Sequence, residues 1–169
     1  MTAPAEVLVR PAEPADADAL ARCHVACWRE AYTGRVDAGQ LALLVGDVAG
    51  RTASWRRILA ARPRTLLAVA GAEVVGFASV GPQRDPDLEV PTELYALYVR
   101  EARWGTGLGS RLLRTALGEV AASLWVLADN PRAERCYLRH GFVRDGAAKH
   151  DPAFGADEVR MVRAGGAAG

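Results

Sequence analysis

The apolar spacing of this chain changes twice, and that limits its fold more than any other feature. From about Asp16 to Tyr32, Leu20, Cys23, His24, Cys27, Trp28 and Ala31 recur at helical spacing, which predicts one helix with a single apolar stripe. Gly34 suits its stop. Leu41, Leu43 and Leu44 predict a short second helix, and Val48, Trp55, Ile58 and Leu59 a third that ends before Pro63. Residues 65–70 and 73–80 are then rich in Leu, Val and Ala around Gly71-Ala72, the pattern of a hairpin. Gly81 to Pro91 reads as a loop, and residues 92–99 as a third long strand. After it the signals alternate. Leu108, Leu112, Leu113, Ala116 and Leu117 mark a helix to about Ala121, and Leu124 to Ala128 a short strand. Asn130-Pro131 opens a helix that stops at Gly141. Phe142–Arg144 and Glu158–Arg163 close the series that residues 5–10 began, before Pro11 and Pro14.

The order β-α-α-α-β-β-β-α-β-α-β-β predicts a mixed α/β fold with one central sheet flanked by helices. Antiparallel pairing comes first, and the later strand–helix–strand run favours parallel neighbours. No internal repeat or linker interrupts the 169 residues, so one domain over 1–169 is expected, with 1–5 and 164–169 as flexible tails.

Composition removes several function classes. Lys and Arg number 21 and Asp and Glu 20, for a net charge of +1, which weighs against a nucleic-acid partner. Of the cations only Lys149 is lysine. Three cysteines make no disulfide framework. Cys23, His24 and Cys27 lie on the apolar stripe with no second ligand pair at zinc spacing, so they read as core and no metal is expected. The N-terminus lacks the pattern of a signal peptide, and no apolar run reaches the ~20 residues of a membrane span. The expectation is a soluble, cytoplasmic protein with no membrane partner.

The richest local motif is Trp104-Gly105-Thr106-Gly107-Leu108-Gly109, between a strand and an amphipathic helix. Alternate glycines leave N–H groups bare at a helix start, which suits a pyrophosphate or simply a tight packed turn. A Walker loop fails, because Ser110-Arg111 follows Gly109. A dinucleotide fingerprint fits poorly: the spacing is G-x-G-x-G and five residues separate it from the strand, although Asp129 lies about where such a motif places its acid.

The turn has company. Glu93-Leu94-Tyr95-Ala96-Leu97-Tyr98-Val99 precedes it, and Asn130, Ala133, Tyr137, Gly141 and Phe142 follow at N-x-x-A-x-x-x-Y-x-x-x-G-F spacing. The combination resembles the GNAT superfamily of acyl-CoA-dependent N-acetyltransferases, and it extends back through Val75-Gly76-Phe77 and Trp28 to Tyr32. The resemblance implies a GNAT-like fold and an acetyl group moved from acetyl-CoA to a small-molecule or peptide amine by direct attack. Residues matching the family's cofactor motifs are Leu97, Tyr98, Val99, Trp104, Gly105, Thr106, Gly107, Leu108, Gly109, Ser110, Asn130 and Ala133. Trp104 departs from the family's usual Gln or Arg at the first turn position. Tyr137 matches the family's general acid, and Glu93 lies where members with a glutamate base carry it; water is the alternative base. Trp28 and Tyr32 are either core or acceptor wall. Asp85, Asp87 and Glu89 are either a solvated loop or a negative lip that attracts a cationic amine. An acyl-CoA-binding sensor of the same fold is the second reading, and a homodimer is left open.

Overall fold

The computed structural model describes residues 6–61 and 64–166. Pro63, the expected tail 1–5 and the last half of the expected tail 164–169 lie outside these residues. In the described part of the C-terminal tail, the Gly166 N–H donates to the Glu119 carbonyl at 2.9 Å.

β1 (Val7–Pro11) leads through a short turn into α1 (Ala17–Tyr32). The whole expected stripe of α1 is buried, with Ala17, Ala21, Val25 and Tyr32 added to it. Asp16 accepts two hydrogen bonds from Arg10 at 2.8 Å and one from the Glu13 N–H at 2.8 Å, which ties the helix start to β1. α2 (Ala38–Gly46) and α3 (Val48–Ala60) begin at Asp37 and Asp47, whose carboxylates accept the Gln40 and Gly50 N–H groups as N-caps.

β2 (Arg64–Ala70), β3 (Glu73–Pro82) and β4 (Thr92–Val99) form an antiparallel meander. α4 (Leu108–Leu117) crosses over to β5 (Ala122–Leu127), and α5 (Pro131–Leu138) leads to β6 (Val143–Asp151) and β7 (Ala156–Arg163). The sheet order is β1-β2-β3-β4-β5-β7-β6. Parallel pairing is confined to β4 and β5. The chain leaving α5 runs to the far edge as β6, and β7 folds back between β6 and β5, so β5 and β7 pair antiparallel. β6 is also longer than Phe142–Arg144 suggested. As an edge strand exposed along most of its length, it carries no apolar alternation to mark it.

Helices cover both faces of the sheet. Leu108, Leu112, Leu113 and Ala116 of α4 pack with Ala78, Leu124, Phe142 and Met161 in one core. Leu20, Cys23 and Cys27 of α1 and Trp55 and Leu59 of α3 pack on Leu67 and Phe77 across the sheet. His24 sits in this second layer, accepting the Trp55 indole N–H at 3.1 Å, and burial pushes its pKa down to about 3. A histidine neutral in the folded state and ordinary when unfolded stabilises fully above about pH 6.5 and loses that contribution as pH falls toward about 3, by about 1.4 kcal/mol per unit. His24→Gln should therefore flatten the acid side of a melting-temperature profile below pH ~6.5. A variant with the wild-type slope would show that other groups govern acid unfolding.

Strands β3 and β4 approach unusually closely at Gly76. A methyl group there would lie 2.9 Å from the Tyr98 carbonyl oxygen and 3.3 Å from Leu112 and Val99 side-chain carbons. Gly76→Ala should cost about 1–3 kcal/mol, as overpacking does. Urea unfolding measures it, and an unchanged midpoint would mean that β4 yields freely.

Candidate active site

The sheet opens where its parallel pair ends. β4 and β5 are paired only at Thr92–Ala122, Glu93–Ser123 and Leu94–Leu124. Beyond them the register of β4 against β3 slips: Val80 faces Leu94 and Ser79 faces Ala96, which leaves Tyr95 as a bulge. Residues 95–99 thus diverge from β5, and a cleft of about 740 Å³ occupies the gap. α1, β4, the glycine turn, β5, α5 and the β6–β7 hairpin all contribute to its walls.

One end of the cleft is the glycine turn. Trp104, Gly105, Gly107, Leu108, Gly109 and Ser110 line it; Thr106 does not, and its hydroxyl instead donates to the Arg103 carbonyl at 2.7 Å. Gly107 is the N-cap of α4 with φ +84°, a left-handed conformation that side chains resist, and no side chain caps this helix. The first-turn N–H groups at Leu108, Gly109 and Ser110 therefore have no helical acceptor, and all three residues line the cleft. The indole of Trp104 donates to the Val99 carbonyl at 2.7 Å, and the Arg132 guanidinium lies 3.5 Å from its ring centroid. A cation thus stands beside the turn although its first position carries an indole. Leu97 and Val99 pack with the α4 core, and Tyr98 points to the opposite face.

α5 forms the adjoining wall. The Asn130 side-chain oxygen accepts the Ala133 N–H at 3.2 Å as the helix cap, and both residues line the cleft. Tyr137 lies one turn on, buried against Phe142. Among the described residues its hydroxyl has no hydrogen-bond partner, and burial raises the phenol well above the usual tyrosine range, so it stays protonated.

The other end is aromatic and charged. The Trp28 indole donates to the Tyr98 hydroxyl at 3.1 Å, and the Tyr32 and Tyr98 hydroxyls are 2.7 Å apart. Burial pushes Tyr98 up to about 12 and raises Tyr32 well above the usual tyrosine range. Phe154, from the β6–β7 turn, meets Tyr32 and Trp28 edge-on at 5.0 and 5.7 Å. Trp28 and Tyr32 are therefore core on one side and cleft wall on the other. Glu93 lines the cleft with 2% of its side chain exposed, and its carboxylate accepts three N–H groups of Arg84 at 2.6, 3.0 and 3.2 Å.

The acidic residues of the loop before β4, Asp85 and Glu89 among them, lie outside the cleft lining. Asp85 accepts the Trp125 indole N–H at 2.9 Å and lies 3.4 Å from Arg160, and Asp87 holds Arg160 bidentately at 2.7 and 2.8 Å. Arg160 also binds Asp145 at 2.7 Å. Arg160 thus fastens Asp85 and Asp87 to β7, while Glu89 is exposed on the same loop.

The model of the family described as acetyltransferase (GNAT) family matches residues 24–142, more than half of the chain. This protein belongs to the GNAT acetyltransferase family. A Mycobacterium tuberculosis relative named as a probable N-acetyltransferase is 29% identical over 156 residues, covering 85% of this chain and 83% of that protein. Among solved structures, the PaiA N-acetyltransferase of Thermoplasma acidophilum in complex with coenzyme A superposes with a TM-score of 0.75 at 17% identity, over 94% of this chain and 99% of that one. The ribosomal-protein-alanine N-acetyltransferase of Brucella melitensis gives a TM-score of 0.70 at 25% identity, over 93% and 99%.

Within this GNAT fold, three cleft residues carried no sequence signal. Arg132 was hidden because nothing local links it to Trp104, 28 positions earlier. Phe154 lies in a turn of small and charged residues. Glu158 read only as the start of the last strand, yet its side chain is 13% exposed and lines the cleft. Among the described residues no helix is long and apolar enough to cross a membrane, and no group of three or more His, Cys, Asp or Glu is placed to hold a metal.

Proposed function

We propose that this acetyltransferase moves an acetyl group from acetyl-CoA to a primary amine by direct attack in a ternary complex. One observation carries the reading: a single cleft runs from the glycine turn past Tyr137 to the aromatic end, so donor and acceptor can meet without a covalent enzyme intermediate. The donor, when bound, supplies a thioester carbon for the amine to attack. The chain supplies the rest. N–H groups of the turn, with Arg132 beside it, hold the pyrophosphate. The diverging edge of β4 at Leu97–Val99 offers main-chain groups to the donor arm and to the carbonyl oxygen as it gains charge. Asn130 and Ala133 border the same arm. As the carbon–sulfur bond breaks, Tyr137 gives its proton to the departing thiolate.

Glu93 takes a supporting part. Arg84 already occupies three acceptor positions of its carboxylate, and the proton of the ammonium leaves through solvent in the cleft. Glu93→Gln should keep wild-type turnover between pH ~6 and ~9, the window a general base would govern. A loss concentrated near neutral pH that recovers as the amine deprotonates would restore Glu93 as the base.

Free-thiol release from acetyl-CoA across a panel of primary amines, with mass gain on the acceptor, tests the whole reading. Tight acetyl-CoA binding with no thiol release for any amine would identify a sensor instead.

A further inference from the structure

The acceptor end of the cleft holds a carboxylate that the proposed chemistry leaves unused. Glu158 lies on β7, cross-strand from Lys149 on one side and Leu127 on the other. Its side chain is 13% exposed and lines the same cavity as Trp28, Tyr32, Tyr98 and Phe154. Unlike Glu93, it has no arginine fork on it. Its ion-pair partner is the Lys149 ammonium, 3.6 Å from Oε2, on a side chain 47% exposed. That ammonium also lies 4.1 Å from the Trp125 ring centroid. Carboxylate and aromatic face thus form a corner that takes an alkylammonium, and the occupant seen is the chain's only lysine.

We infer that Glu158 anchors the ammonium group of the acceptor, and that Lys149 holds its place until an acceptor displaces it. This rests on reading the aromatic end of the cleft as the acceptor side, and it deepens that reading by specifying a cationic primary alkylamine. The neighbours fit. Trp28, Tyr32 and Phe154 offer apolar surface to an alkyl stem. Burial pushes Glu158 above the usual carboxylate range, Lys149 and Arg84 pull it back, and Asp151 raises it further. A mostly buried carboxylate with only a part-exposed lysine opposite it gains most from an incoming cation. Lys149 suits a placeholder because it is part-exposed and is held by one 3.6 Å ion pair and the Trp125 face alone.

Anchor and placeholder should respond in opposite directions, whereas two halves of a structural salt bridge should respond alike. The probe is n-butylammonium, titrated into the coenzyme A-loaded protein and followed by NMR on the tryptophan indole N–H signals. Because the readout is binding, it stays informative even if no amine is acetylated, so failure here and failure of the transfer reaction are distinguishable. Glu158→Gln should weaken the probe at least about 10-fold, the usual loss for one charge-assisted hydrogen bond, and leave coenzyme A affinity unchanged. Lys149→Met should tighten the probe severalfold. Unchanged affinity in Glu158→Gln, or equal weakening in both variants, overturns the inference. If Glu158→Gln does not fold, Lys149→Met alone decides: tightening supports the anchor, and unchanged or weaker binding rejects it.

Discussion

Tyr137→Phe should lower turnover by about 10²–10⁴-fold while acetyl-CoA binds nearly as before. The substitution removes one hydroxyl and little volume, and that hydroxyl has no hydrogen-bond partner among the described residues, so no other contact is broken. Its phenol is held protonated by burial, which keeps the proton available across the working pH range. A thiolate leaving into a half-closed cleft without a donor is the poorer leaving group, so the loss belongs in turnover and not in donor binding. Steady-state kinetics paired with calorimetry separate the two. Unchanged turnover, under conditions where the chemical step limits the rate, would remove Tyr137 from the reaction.

The second large effect is expected at Gly107. A side chain there meets nothing within 4 Å, so the space above the turn is open. Any L residue at φ +84° still costs about 1–2 kcal/mol in backbone strain. Gly107→Ala isolates that strain: stability falls slightly and acetyl-CoA affinity changes only a few-fold. Gly107→Glu adds a carboxylate where the pyrophosphate is proposed to lie. Like charges opposed across a binding surface cost several kcal/mol, so acetyl-CoA affinity should fall by at least about 10²-fold. Calorimetry on the two folded variants decides. Equal affinities for Ala and Glu would place the donor phosphates elsewhere.

Much of the fold was legible because helices and strands advertise themselves locally. The stripe from Leu20 to Ala31 required a helix with one buried face, and the Gly71-Ala72 break between two apolar runs required a hairpin. The glycine turn, Asn130 and Tyr137 were legible for a related reason. Their placement depends on backbone conformation and helix spacing, which travel with short motifs. β6 was mostly missed because an exposed edge strand needs no apolar alternation.

The site reads differently on its two sides. By sequence alone, Asp85, Asp87 and Glu89 were a candidate lip and Glu93 a candidate base. Both turned on where arginines end up. Arg160 reaches Asp85 and Asp87 from β7 only because β7 inserts beside β5, and Arg84 folds onto Glu93 only because the loop turns back over the start of β4. Glu158 reaches the cleft by the same strand insertion.

The sequence by itself determined the order of elements, the buried faces of α1 and α4, the glycine turn at the start of α4 and the helical placing of Asn130 and Tyr137. These follow from backbone periodicity and from φ preferences within a few residues. Of the apolar residues expected in α2 and α3, Leu43, Val48 and Ile58 are exposed. Only the tertiary structure decided that β4 and β5 part after Leu94, that Arg132 stacks on Trp104, and which carboxylates meet a cation and which face the cleft. Those outcomes depend on strand order and register between segments far apart in the chain, and a charged side chain's role is set by what lies opposite it.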